Sequence, residues 1–130
     1  PDYKSILKNA QHDKKILLNT KDFLSVLKRT LIFVRDNKDA KNGGIFSFEN
    51  NKLILTGINE NAKIKEELAT IQEGENLKIS LNVKFLVDYI SIIGGKVTEL
   101  RLMNSKSSVV VKDEDNDKSI YFTMPLALRE

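Results

Sequence analysis

The feature of this sequence that most constrains its fold is an internal repeat. Residues 16–24 read Ile-Leu-Leu-Asn-Thr-Lys-Asp-Phe-Leu, and residues 79–86 read Ile-Ser-Leu-Asn-Val-Lys-Phe-Leu. Each copy begins as a short apolar strand and continues through an asparagine into a segment with helical periodicity. Asn19 and Asn82 stand where helix N-caps are expected, because an amide oxygen can accept hydrogen bonds from the unpaired N–H groups of a first turn.

Each predicted helix is followed by a two-stranded ribbon and then by a third strand. The ribbons are expected at residues 45–48 with 53–55 and at 100–102 with 109–111, and the third strands at 62–71 and 119–123. The sequence therefore predicts a β-α-β-β-β unit that is present twice. A repeat of this length indicates duplicated half-domains rather than a solenoid.

Both predicted helices are amphipathic, with apolar side chains on one side and polar ones opposite. The apolar stripes consist of Phe23, Leu24, Leu27, Leu31 and Val34 in the first helix and of Phe85, Leu86, Tyr89, Ile90 and Ile93 in the second. The glycine pairs 43–44 and 94–95 follow the helices and are expected to supply the positive φ of a helix exit. These patterns predict the α+β class, with two helices packed on one face of an antiparallel sheet.

The length and composition fit one soluble domain. The chain has 130 residues and no cysteine, which excludes a disulfide framework, a zinc ribbon and a thiol nucleophile. We expect a single domain over residues 1–130, with residues 1–13 as a linker or entry segment, in a reducing cytoplasm. Because the chain begins at Pro1 without an initiator methionine, we also expect it to be part of a longer protein.

No residue pattern in the sequence indicates catalysis. His12 is the only histidine and lies in the polar entry segment, where a solvated surface role is expected. The acidic run 113–117 lacks the glycine and the final glutamate of a calcium loop, so it predicts a hairpin tip. We therefore expect no enzyme activity, no cofactor and no metal site.

Charge offers one functional signal. The net charge is +3, but residues 1–42 hold 10 basic and 5 acidic side chains. Lys21, Lys28 and Arg29 would form a modest positive strip on the first helix, able to contact phosphates. From the residues alone, a stand-alone basic α+β nucleic-acid-binding protein is one interpretation. The apolar C-terminal tail, with Pro125 interrupting strand pairing, suggests either a packed tail or half of a peptide-binding groove.

Five features in order carry a family resemblance. They are the repeat, residues 1–7 (Pro-Asp-Tyr-Lys-Ser-Ile-Leu), residues 81–88 (Leu-Asn-Val-Lys-Phe-Leu-Val-Asp), residues 106–109 (Lys-Ser-Ser-Val) and the ending Met124-Pro125-Leu126. Together they resemble the third, C-terminal domain of the bacterial DNA polymerase III beta subunit, the beta sliding clamp family. The resemblance covers essentially the whole chain. It implies the DNA clamp fold, in which a head-to-tail homodimer of three-domain chains encircles duplex DNA and makes the replicative polymerase processive.

The resemblance also implies partners and site residues. The partners are duplex DNA, bound without regard to sequence, the polymerase alpha subunit, the clamp loader and other proteins with a clamp-binding peptide. The peptide pocket would use Pro1, Ile6, Asn82, Phe85, Ser108, Phe122, Met124, Pro125 and Leu126. The ring interface would use Phe33, Val34, Glu66 and Glu67, and the DNA-facing cations would be Lys21, Lys28, Arg29 and Lys84.

The sequence departs from the family pattern at several of these places. Ser5 and Ala127 stand where arginine is common, Phe85 where tyrosine is common, and Lys106 where valine is common. The loss of a phenol and two guanidinium groups is expected to change which peptides bind well. Lys63 occupies a position that is often acidic, which alters the charge of the predicted ring interface.

Overall fold

The computed structural model describes residues 13–34, 43–59 and 62–127. These residues form two helices and nine strands. In chain order they are β1 (Lys14–Asn19), α1 (Thr20–Val34), β2 (Gly43–Glu49), β3 (Lys52–Ile58), β4 (Lys63–Ala69), β5 (Ile71–Glu73), β6 (Leu77–Asn82), α2 (Val83–Ile93), β7 (Val97–Leu102), β8 (Val109–Asp113) and β9 (Asn116–Thr123).

The strands divide into two antiparallel sheets in which the two half-domains exchange their first strands. The five-stranded sheet has the order β5-β1-β7-β8-β9, and the four-stranded sheet has the order β4-β3-β2-β6. Strand β1 of the first half therefore pairs with β7 of the second, and β6 of the second half pairs with β2 of the first. Each sheet therefore contains strands from both halves.

The duplicated unit and the α+β class are confirmed, and the structure adds two details. The helices pack on antiparallel strands as predicted, but those strands form two sheets. The third strand of the first half was predicted to reach Ile71, whereas β4 ends at Ala69 and Ile71 begins β5 in the other sheet. The chain is held at this crossing by Asn51, whose carbonyl accepts from the Thr70 N–H at 3.0 Å and whose side chain accepts from the Gln72 N–H at 2.8 Å.

One apolar core is shared by both halves. It contains the inward faces of both helices and both sheets, and its largest fully buried side chains include Phe23, Phe46 and Phe48. Phe23 of α1 meets Phe46 of β2 edge to face, with ring centroids 6.5 Å apart. Helix α1 packs mainly over β3 and β4, helix α2 packs on β8 and β9, and the helices contact each other.

The predicted helix starts are confirmed, and one predicted helix exit is wrong. The side chain of Asn19 accepts from the Asp22 N–H at 3.0 Å, and that of Asn82 accepts from the Phe85 N–H at 3.1 Å. Gly94 and Gly95 have positive φ as expected, but Gly44 lies within β2. A Cβ at Gly44 would lie 2.9 Å from a methyl group of Val83, so this glycine permits close packing of α2.

Candidate functional site

The C-terminal tail lies against the strand that leads into α2. After β9 ends at Thr123, the N–H of Leu126 donates to the carbonyl of Ser80 at 2.8 Å, forming an isolated antiparallel bridge. Ser80 belongs to β6, which is one of the two outer strands of the four-stranded sheet. Residues Met124–Leu126 therefore connect the edge of one sheet to the edge of the other, and the tail remains tied to the fold beyond its last strand.

This arrangement brings most of the predicted pocket residues to one region. Asn82, the N-cap of α2, follows Ser80 by two residues, and Phe85 lies in the first turn of the helix. Ser108 precedes Val109, which pairs with Thr123 at the end of β9. Met124 is 63% exposed and Phe85 is 47% exposed, so both present apolar surface to solvent. Phe122, Pro125 and Leu126 are partly buried. The predicted pocket residues Pro1 and Ile6 lie outside the described residues.

The exposed ring of Phe85 is held by an aromatic stack that the sequence did not reveal as such. Phe85 stacks on Tyr89 with ring centroids 6.1 Å apart, and Tyr89 stacks on Tyr121 of β9 at 4.9 Å and an interplanar angle of 16°. Tyr89 was predicted only as part of the helix's apolar stripe. The stack joins α2 to β9, the strand that precedes the tail.

The four predicted DNA-facing cations differ in whether a described carboxylate pairs with them. Lys21 and Lys28 are exposed on α1, and neither forms an ion pair with another residue that the structure describes. Lys84 of α2 lies 2.9 Å from the carboxylate of Asp88 one turn further on. The charge of Lys84 is therefore offset within its own helix.

Arg29 is engaged in a two-point ion pair with the edge strand β4. Its Nε donates to one carboxylate oxygen of Glu66 and its Nη2 to the other, both at 3.0 Å. Hydrogen bonding by Arg29 lowers the pKa of Glu66, and the same contact raises the pKa of Arg29. A residue predicted to face DNA and a residue predicted to face the ring interface are thus partners of each other.

The predicted ring interface is corrected at one position. Val34 is fully buried, and its methyl group would lie 2.9 Å from a Cβ placed on Gly57 of β3. Its side chain fills the core and is not available to another subunit. Phe33 is partly buried, and its carbonyl accepts from the side chain of Asn59 at 3.3 Å. Glu67 is exposed on β4, on the opposite face from Glu66.

Other features of the structure lie apart from these residues. An open cavity of about 300 Å³ at the end of β1 is lined by Leu17, Leu18, Asn19, Ala69, Thr70, Ile71, Val97 and Glu114. Within the ranges 13–34, 43–59 and 62–127, no cluster of three acidic or histidine side chains is arranged to hold a metal ion. Neither helix in those ranges is long and apolar enough to cross a membrane.

Comparison with known families decides what kind of domain this is. The profile of the family described as DNA polymerase III beta subunit, C-terminal domain, matches residues 6–127. The chain belongs to this family. Its most similar curated relatives include the beta sliding clamps of Pseudomonas aeruginosa, 32% identical over 130 residues, and of Buchnera aphidicola, 31% identical over 128 residues. Each alignment covers at least 97% of this chain but 34% of the relative, so the chain spans about a third of their length.

Solved structures of this family share the fold. The DNA polymerase III subunit beta of Pseudomonas aeruginosa superposes with a TM-score of 0.85 at 30% identity, over 98% of this chain and 34% of that one. The beta subunit of Thermotoga maritima gives a TM-score of 0.85 at 25% identity, over 99% of this chain and 34% of that one. A further structure, 31% identical, is the Pseudomonas aeruginosa sliding clamp bound to griselimycin, with a TM-score of 0.85 over 98% of this chain and 34% of that one.

Proposed function

We propose that this chain is the third domain of a bacterial DNA sliding clamp. In this role, three-domain chains assemble head to tail as a homodimeric ring around duplex DNA, and the ring tethers the replicative polymerase in the cytoplasm. The domain acts as an accessory module without catalysis of its own. The family match across residues 6–127 supports this role, since it spans the whole described structure.

The observation that carries the peptide-docking part of the proposal is the position of the tail. The 2.8 Å hydrogen bond from Leu126 to Ser80 ties the tail, which carries the exposed Met124, to the strand that leads into α2, where Phe85 is also exposed. Apolar side chains with a few polar groups at the rim are what a short peptide with leucine and an aromatic residue requires. The partners are the polymerase alpha subunit, the clamp loader and other proteins that carry such a peptide.

The proposed contact with DNA is weak and independent of sequence. Lys21 and Lys28 present two exposed ammonium groups on α1, whereas the cations Arg29 and Lys84 are neutralised by carboxylates. A ring that encloses the duplex holds it by topology, so two phosphate contacts are enough to centre it. Each such contact contributes a salt-dependent and sequence-independent attraction.

The decisive experiment measures retention of the full-length protein on circular DNA. The protein is loaded by its clamp loader onto a nicked circular duplex, which is then isolated at high salt, and a matched sample is linearised with a restriction enzyme. We expect the protein to remain on circles and to be lost from linear DNA, because a ring slides off a free end.

The alternative, a stand-alone basic nucleic-acid-binding protein, predicts the opposite pattern. It would bind linear and circular DNA equally, and its binding would fall steeply with salt on both. Equal retention on the two templates would refute the clamp proposal.

A further inference from the structure

The strand β4 is the free edge of the four-stranded sheet among the described strands. It pairs with β3 on one side, from Lys52–Ala69 to Ile58–Lys63, and has no described neighbour on the other. An edge of this kind exposes a row of unpaired N–H and C=O groups, which is a template for pairing with another chain or domain. Under the proposed clamp function, with the ring interface that the family resemblance implies, this edge is the surface that meets the next subunit.

Glu66 occupies an unusual place on this strand. Exposure alternates along β4, so that Ile64, Glu66 and Leu68 face inward toward α1 while Lys63, Lys65, Glu67 and Ala69 face outward. Glu66 is therefore a carboxylate in a row of apolar side chains, opposite the fully buried Leu55 of β3. A charge in this position requires a partner, because leaving it unpaired at a half-buried site costs more than leaving it in water.

Arg29 supplies that partner from the helix above. Both guanidinium contacts are 3.0 Å long and in the forked geometry that matches a carboxylate, which is the strongest form of surface ion pair. The helix already lies close to the sheet at Gly57, where a Cβ would be 2.9 Å from Val34 and 3.0 Å from Ile64. The close packing at Gly57 and the ion pair at Glu66 hold two points of the β3–β4 ribbon against α1.

We infer that Arg29 is a positioning residue of the ring-closing edge and not a DNA contact. It fixes β4 against α1 so that the backbone of the edge strand is held in one position for the neighbouring subunit. This inference rests on the proposed clamp function. It separates Arg29 from its neighbour Lys28, which has the same sign of charge on the same helix but is exposed and forms no ion pair with any residue that the structure describes.

The first test measures dimerisation of the full-length protein by sedimentation at several concentrations. Arg29→Glu and Glu66→Arg should each raise the ring dissociation constant roughly ten-fold, and the double exchange should restore most of the loss, since it re-forms the pair in reverse. Lys28→Glu is the matched control, with the same change of charge one residue away, and should leave dimerisation within about two-fold of wild type.

The second test measures DNA binding at increasing salt. The logarithm of the DNA-binding constant falls linearly with the logarithm of the salt concentration. Lys28→Gln should make this dependence less steep by about 0.9, whereas Arg29→Gln should leave it unchanged. A slope lowered equally by both variants would overturn the inference, as would dimerisation unaffected by Arg29→Glu. A wild-type protein that fails to dimerise at all would instead overturn the proposed function, and the inference with it.

Thermal unfolding distinguishes a purely structural role of the Arg29–Glu66 pair from its proposed role in dimerisation. If Arg29→Glu lowered the Tm and weakened the dimer only in proportion to the unfolded fraction, the pair would serve the fold and not the edge. We expect the dimer to weaken at temperatures where every variant is fully folded.

Discussion

The two helices begin in the same way and present different chemistry. Each is capped by an asparagine whose side chain accepts from the N–H three residues later, Asp22 in α1 and Phe85 in α2. In α1 this third position carries an acid, which suits the positive end of the helix dipole. In α2 the same position carries an exposed aromatic ring, braced by Tyr89.

The difference extends to the remaining charges of the two helices. Helix α1 keeps two exposed lysines and directs its arginine sideways to β4, while α2 pairs its lysine with its own Asp88. One copy of the repeated unit thus presents exposed charge and the other an exposed aromatic ring, and our proposal assigns the first to DNA and the second to a peptide. The comparison teaches that two copies of a unit can share their helix caps and core positions and still differ at their exposed positions.

The largest expected effect tests whether the two copies are independent. Leu18→Ala in β1 and Leu81→Ala in β6 should each lower the free energy of unfolding by about 2–5 kcal/mol, because both side chains are buried in the shared core. Calorimetry should show one transition in each variant. The exposed Lys65→Ala serves as the control and should change stability by less than about 0.5 kcal/mol. Two separate transitions in either leucine variant would mean that the halves fold apart.

An intermediate effect tests the functional side of the comparison. Phe85→Ala should weaken binding of a clamp-binding peptide to the full-length protein by about 1–2 kcal/mol, as expected for a partly exposed apolar anchor. Asp22→Ala, at the equivalent position of α1, should leave peptide affinity unchanged. Calorimetric titration of wild type and both variants decides this, and equal losses in the two variants would show that the peptide does not distinguish the helices.

The smallest effect concerns the Arg29–Glu66 pair, which joins α1 to a strand, whereas the ion pair of α2 lies within the helix. Arg29 holds the pKa of Glu66 below its usual value of 4.5, so the pair stabilises the folded domain at neutral pH. That contribution is lost as the pH falls below 4.5 and through the lowered pKa, because the carboxylate becomes protonated. Glu66→Gln should therefore lower the Tm slightly at pH 7 and not at all in strong acid. A Tm difference that persisted unchanged in acid would show that the stabilisation has another origin.

The sequence predicted those features that depend on local pattern. The repeat, the capping asparagines and the apolar stripes all follow from residue types at fixed spacing, and the structure confirms them except at Phe85, a member of the second stripe that is exposed. The turn at Asn50 and Asn51 was also predictable, since both adopt the positive φ that asparagine tolerates, 52° and 60°.

Features that depend on distant contacts were not visible in the sequence. Nothing in the local pattern distinguishes one sheet from two, because the exchange of β1 and β6 is decided by pairing between the halves. Val34 continues the apolar stripe of α1, but its complete burial depends on Gly57 in another strand. From the sequence, Arg29 is expected to be an unpaired surface cation, because only the fold brings Glu66 beside it.

The exchange of first strands also sets an order of assembly as the chain leaves the ribosome. Strands β2, β3 and β4 are adjacent in sequence and can pair as soon as they are made, whereas Ile16 of β1 must wait for Leu100 of β7. The short strand β5 is synthesised much earlier than β7, and its Gln72 also pairs with Ile16. This three-residue strand is therefore the first in the described chain able to occupy an edge of β1 during synthesis.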